Sequence, residues 1–118
     1  MIQHLQSGKN LSTQVEHYRS ASERSRGLLK FEKQPESFSA IFYLPMRGFF
    51  PAVHTFGMKF SIDLVFCNNQ KKIISIFRDV APGRFIVPWR HFFGGSIYLI
   101  EFAGCDIGPL SLGDQLEW

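Results

Sequence analysis

The sequence predicts a mainly β protein, a compact antiparallel β-sandwich or barrel with one short helix in its N-terminal half. Three observations carry this expectation. Phe, Ile, Val and Tyr, which fit a pleated and half-buried surface, gather in short runs, and thirteen of the residues are Phe. The runs are bounded by Gly, Pro, Asn or Asp, residues that fix φ or tolerate left-handed backbone. One stretch alone carries helical end signals, which leaves no second helix to cross over between parallel strands.

Met1 to Leu5 and Leu11 to Tyr18 are alternating segments on either side of Ser7-Gly8-Lys9-Asn10, whose Gly and Asn supply the positive φ of a tight hairpin turn. The helix is expected over Ser20 to Lys30: Ser20 or Ser22 caps it, Glu23 sits in the first turn, and Arg24, Arg26 and Lys30 lie towards the end. Strands follow at Ser39 to Leu44, Ile62 to Cys67, Ile73 to Phe77, Ser96 to Phe102 and Gln115 to Trp118. Asn68 to Lys72 joins two of them as a hairpin whose tip holds Lys71 and Lys72 in solvent. Gly94-Gly95 and the stretch from Gly104 to Gly113 mark further turns.

A chain of 118 residues buries one hydrophobic core and is too short for two, so residues 1–118 are expected to form a single domain. A hydrophobic fraction of 45% and a charged fraction of 19% exclude a disordered chain. Thirteen basic residues against ten acidic ones leave a net charge of only +3, and the charges are dispersed, so nucleic acid is disfavoured as a partner. Cys67 and Cys105 stand in no CxxC or Cys/His arrangement, so buried free thiols are expected rather than a zinc or redox pair. Met1 to Asn10 lacks the apolar centre of a signal peptide, and no apolar run approaches membrane-spanning length. A cytoplasmic protein, a monomer or weak homodimer, is the expectation.

Several stretches mix polar residues and glycine into apolar surroundings. They are Glu23-Arg24-Ser25-Arg26-Gly27-Leu28-Leu29, the run from Val53 through His54-Thr55-Phe56-Gly57-Met58 to Ile62-Asp63-Leu64-Val65-Phe66, and Ala81-Pro82-Gly83-Arg84. Glu101-Phe102-Ala103-Gly104 and Leu112-Gly113-Asp114 complete the set. In this order and spacing, from about Glu16 to Trp118, the chain resembles the bacterial and archaeal family called domain of unknown function 192, in the branch bearing His-Thr-Phe-Gly-Met. Ser61 stands where that family commonly has proline, and Cys67-Asn68-Asn69 replaces its usual Leu-Asp. The resemblance implies a small β-rich fold and no established activity, cofactor or partner.

The candidate ligand-binding residues are Arg26, His54, Met58, Asp63 and Arg84. His54 and Asp63 flank a turn-like stretch, and a bend there would bring an imidazole near a carboxylate to orient a base or serve a metal. His17, His91 or Glu101 would have to supply a third ligand, so no metal site and no cofactor is expected. Arg26 and Arg84 can grip an anion through two parallel hydrogen bonds, whereas Met58 beside Gly57 reads first as a core plug. Asp63, between apolar Ile62 and Leu64, is expected on a central strand, paired with Arg26 or His54 or capping local backbone donors. No GxSxG elbow and no phosphate-cradling glycine loop is present. These features favour a non-enzymatic module that binds a small ligand or a protein, with a small enzyme built around Arg26, His54 and Asp63 as the alternative.

Overall fold

The computed structural model describes residues 1–19, 27–44, 53–88 and 95–118. Ten strands are found among them: β1 (Ile2–His4), β2 (Asn10–Ser12), β3 (Gln14–Tyr18), β4 (Phe38–Tyr43), β5 (Val53–His54), β6 (Ile62–Cys67), β7 (Ile73–Val80), β8 (Phe85–Ile86), β9 (Tyr98–Ala103) and β10 (Leu116–Glu117). The centre is a five-stranded sheet in the order β3-β4-β9-β6-β7. β10, β1 and β2 form a second sheet, and β5 pairs with β8 alone as a two-stranded ribbon. No helix of the described residues is long and apolar enough to cross a membrane.

The central sheet is apolar on both faces because β4, β6 and β9 present large side chains at successive positions. In β6, Ile62, Leu64 and Phe66 join one core cluster and Val65 and Cys67 the other, as the alternation of a central strand requires. The first cluster is closed over by Leu28, Met58 and the ribbon residues Val53 and Ile86. Ile2, Leu11 and Leu116 of the second sheet cover the opposite face. Two covering layers bury the sheet without joining its ends, so β3 and β7 remain edges and the sheets do not close into the barrel that was one of the expected forms.

Two further expectations are corrected. The stretch Leu11 to Tyr18 is not one hairpin arm. β2 pairs antiparallel with β1, then the chain changes sheets at Thr13, and β3 runs parallel to β4 with Gln14 opposite Phe38. Thr13 and Gln14 both donate their amides to the Ser37 carbonyl, 3.1 and 3.0 Å away, which fixes the switch. The described end of the expected helix, Gly27–Lys30, is a single 3-10 turn, and residues 20–26 lie outside the described part.

The C-terminal turn is tied to the first hairpin. His4, buried at 5% exposure, shares hydrogen bonds with Ser7 Oγ (2.7 Å) and Asp114 Oδ2 (2.8 Å), while the Ser111 amide donates to the same Asp114 oxygen. Those bonds hold the Asp114 carboxyl below its usual range, with the Ser111 amide the larger cause and His4 the next. Lys71 is no free hairpin tip either: its ammonium donates to the Trp118 carbonyl and lies 4.3 Å from the centre of the Trp118 ring.

Candidate functional site

The Val53–Met58 segment and the Pro82-Gly83-Arg84 loop, far apart in sequence, meet through one buried side chain. Thr55 is fully buried; its hydroxyl donates to the Ala81 carbonyl at 2.7 Å and accepts from the Arg84 amide at 2.8 Å. Its own amide donates to the Arg84 carbonyl at 2.8 Å, and its carbonyl accepts from the amides of Gly83 and Met58. Every polar atom of Thr55 thus holds backbone that turns sharply at Gly57 (φ 85°) and Gly83 (φ 81°), where a side chain would be strained.

This frame gives the ribbon two different faces. Val53 and Ile86 stand opposite each other and turn into the core; the next pair, His54 and Phe85, turns outward. The His54 ring stacks on Phe56 with centroids 5.1 Å apart and planes at 24°. Phe56 is 54% exposed and Phe85 61%, a large apolar surface to leave in water. Leu29 of the 3-10 turn extends the patch, for a Cβ placed on Gly57 would lie 3.3 Å from its Cδ2. The Arg84 and Lys59 side chains are exposed beside it, and neither makes an ion pair among the described residues. None of the ten acidic residues falls between Ser37 and Ile62 or between Val80 and Ile100, so both segments of the ribbon are free of carboxylates.

His54, Met58 and Arg84 are therefore brought together, with Met58 buried in the core beneath the ribbon as a plug. Asp63 is elsewhere. It lies on β6 opposite Phe102, and no hydrogen bond or ion pair joins it to His54. Its Oδ1 accepts the Asp79 amide at 2.8 Å, which is the local backbone cap among the expected partners. Asp79 holds a φ of 50°, and the pairing of β6 with β7 slips by one residue beside it, so the carboxylate satisfies a donor that the bulge withdraws from the ladder. Asp63 and Asp79 border an open, polar hollow of about 290 Å³ with Gln34, Ser61, Gly104 and Cys105. Arg26 and His91 lie outside the described residues. His17 bonds to the hydroxyl of Tyr43, whose ring packs with the core cluster on the other face of the sheet from the ribbon, and among the described residues no three His, Cys, Asp or Glu side chains converge as metal ligands would.

Glu101 is the functional candidate that the sequence reading placed too low. On β9 it stands between Ala40 and Leu64, both members of the cluster beneath the ribbon, and it is only 4% exposed. Among the described residues its Oε1 has no hydrogen-bond partner. Burial pushes its carboxyl up to about 8, so at neutral pH it is mainly the neutral acid. The signal was present in the sequence as a lone carboxylate inside Tyr98-Leu99-Ile100-Glu101-Phe102-Ala103. Cys67 and Cys105 are free thiols that burial pushes up to about 12 and about 11, which leaves them without the thiolate a nucleophile needs.

No curated protein matches this chain. A protein of unknown function from Novosphingobium aromaticivorans superposes with a TM-score of 0.70 at 17% identity, over 88% of this chain and 74% of that one. A Sinorhizobium meliloti protein described as a "putative transcription regulator" gives 0.66 at 20% identity, over 87% and 79%. At such identities the likeness is one of fold. The sequence pattern of the DUF192 family, described as an uncharacterized ACR, matches residues 2–117, and the chain belongs to that family.

Proposed function

We propose that the chain is a binding module whose β5–β8 ribbon docks an acidic protein segment through that segment's apolar side chains. The observation that carries this reading is the outward face of the ribbon, where the stacked His54 and Phe56 and the exposed Phe85 lie beside Arg84 and Lys59, which make no ion pair among the described residues, with no carboxylate on either strand segment. Exposed aromatic rings give affinity through burial, and a local excess of cations selects an anionic partner. Arg84 is the expected carboxylate grip, His54 and Phe56 the platform, and Met58 the inward support. Arg26, just ahead of the turn that carries Leu29, is a further candidate contact on sequence grounds. The same segment, His54 to Met58, is our ground for placing the chain in the His-Thr-Phe-Gly-Met branch of its family, and the layered arrangement supports a sandwich-like rather than barrel-like description.

A protein segment suits this face better than nucleic acid. Two described cations beside two Phe rings do not form the continuous basic track that a phosphate backbone requires. The alternative enzyme built on Arg26, His54 and Asp63 gains no support from Asp63, which caps the Asp79 amide and shares no hydrogen bond or ion pair with His54.

Selection of phage-displayed random peptides on the immobilised protein tests the reading. Enrichment of sequences that combine Asp or Glu with Leu, Phe or Trp, abolished by Arg84→Glu and by Phe85→Ser, is the expected result. Enrichment that is indifferent to both substitutions, or retention of single-stranded oligonucleotide in place of peptide, would overturn it.

A further inference from the structure

The ribbon has an inner side as well, and on the sheet beneath it lies Glu101, the carboxyl among the described residues that is buried with an oxygen left unbonded. Glu101 projects from β9, third in the order of the five central strands, between the short Ala40 on β4 and Leu64 on β6. Along its own strand the neighbours on that face are Leu99 and Ala103, so two alanines leave the carboxyl flanked by small side chains. Leu28, Met58, Val53 and Ile86 close the layer above. Among the described residues, the titratable groups that share this cluster or its rim are Tyr18, Glu16 and Lys30. Tyr18 donates its hydroxyl to Glu16, and Lys30 pairs with the same carboxylate at 2.5 Å, so these groups satisfy one another and none bonds Glu101. Among the described residues nothing accepts from or donates to its Oε1.

A buried carboxyl with an unmet oxygen costs stability that an apolar side chain such as alanine would not. We propose that Glu101 anchors an aliphatic amine or guanidine taken up between the central sheet and the β5–β8 ribbon. An ammonium or guanidinium supplies the donors the carboxyl lacks, and an alkyl stem suits the apolar side chains of the same cluster, Leu64, Met58 and Phe42 among them. Binding converts the neutral acid into a carboxylate paired with the cation, and the carboxyl proton passes to solvent. The site is independent of the outward docking face: Val53 and Ile86 belong to one side of the ribbon, His54 and Phe85 to the other.

The experiment uses the full chain labelled with ¹³C at the Glu side-chain carboxyl carbons, the Glu101 signal being assigned by its absence in Glu101→Gln. Its titration is followed alone and with n-butylamine, and with a capped lysine tripeptide whose side chain ends in the same group. In the free protein the midpoint is expected near 8. Saturation with n-butylamine should lower it by about one pH unit or more, a tenfold or larger preference of the cation for the ionised form. Calorimetry near neutral pH should show proton release on binding that Glu101→Gln abolishes. A response to the tripeptide as well identifies a site open to a protein side chain; a response to the free amine alone identifies a small-molecule site. A Glu101 that titrates in the ordinary carboxylate range in the free protein, showing that a cation of the chain already pairs with it, overturns the proposal. So does a midpoint near 8 that neither probe moves, and both results are read on the unsubstituted protein.

Discussion

The carboxylate of Asp63 accepts the amide of Asp79 at 2.8 Å across the point where β6 and β7 slip register. A side chain on one strand thereby replaces the carbonyl that the neighbouring strand's bulge has lost. Asp79 adopts a φ of 50°, a backbone conformation that non-glycine residues rarely take, and the bond helps to hold it there.

Removal of this cap should cost what a hydrogen bond to a charged acceptor contributes, about 1.5–3 kcal/mol, less than the loss of a buried ion pair. Asp63→Ala is expected to lower the urea midpoint accordingly, and Asp63→Asn, which keeps an acceptor oxygen, to lower it by less. Lys33→Ala is the exposed control, with a change within about 0.5 kcal/mol. Equal stability of Asp63→Ala and the parent in urea titration would show that the cap does not hold the bulge.

Thr55→Val preserves shape while deleting the hydroxyl that joins Ala81 and Arg84. A part-buried carbonyl and a part-buried amide lose their partner together, and about 1–3 kcal/mol of destabilisation is expected in all. The local consequence is sharper than the global one. Hydrogen exchange at Thr55 and Arg84 should accelerate well beyond that in β6 and β9, because the ribbon is held to the rest of the fold through this hub. Uniform acceleration across the central strands would contradict the hub's role.

Glu101 makes stability depend on pH in a definite direction. Its carboxyl is raised from an ordinary 4.5 to about 8, so the unfolded chain loses its proton at lower pH than the folded one. Stability from this group is fully present below about 4.5 and drains away as pH rises to about 8, by up to about 5 kcal/mol, and is flat beyond. Glu101→Gln should remove the slope and be the more stable protein at pH 8. Urea titrations of both proteins across this range are the check, and parallel curves would show that Glu101 is ionised in the fold.

Much of this fold was legible in the sequence because its strands are long apolar runs with hard stops. Ile62–Cys67 was read with its correct ends and its two buried faces, since alternation of Ile62, Leu64 and Phe66 against Val65 and Cys67 leaves no solvent side. The ribbon was not legible. Val53–His54 and Phe85–Ile86 are two residues each, below the length at which alternation can be counted, and they are held by Thr55 rather than by strand propensity. Nor could the change of sheet at Thr13 be read, because one continuous alternating segment serves both β2 and β3 and the switch is made by the distant Ser37. Among the candidate residues, the meeting of His54 with Arg84 follows from that tertiary hub. The separation of Asp63 from His54 follows from the bulge partner Asp79, which no local pattern announced.

The most direct measurement of the docking face is an amide chemical-shift map with the consensus peptide from phage selection titrated into ¹⁵N-labelled protein. Docking on the outer ribbon requires the largest shifts at His54, Phe56, Arg84 and Phe85, with binding that weakens as salt is raised. Shifts concentrated at Asp63 and Asp79, or on the β10-β1-β2 sheet with the ribbon unmoved, would contradict it.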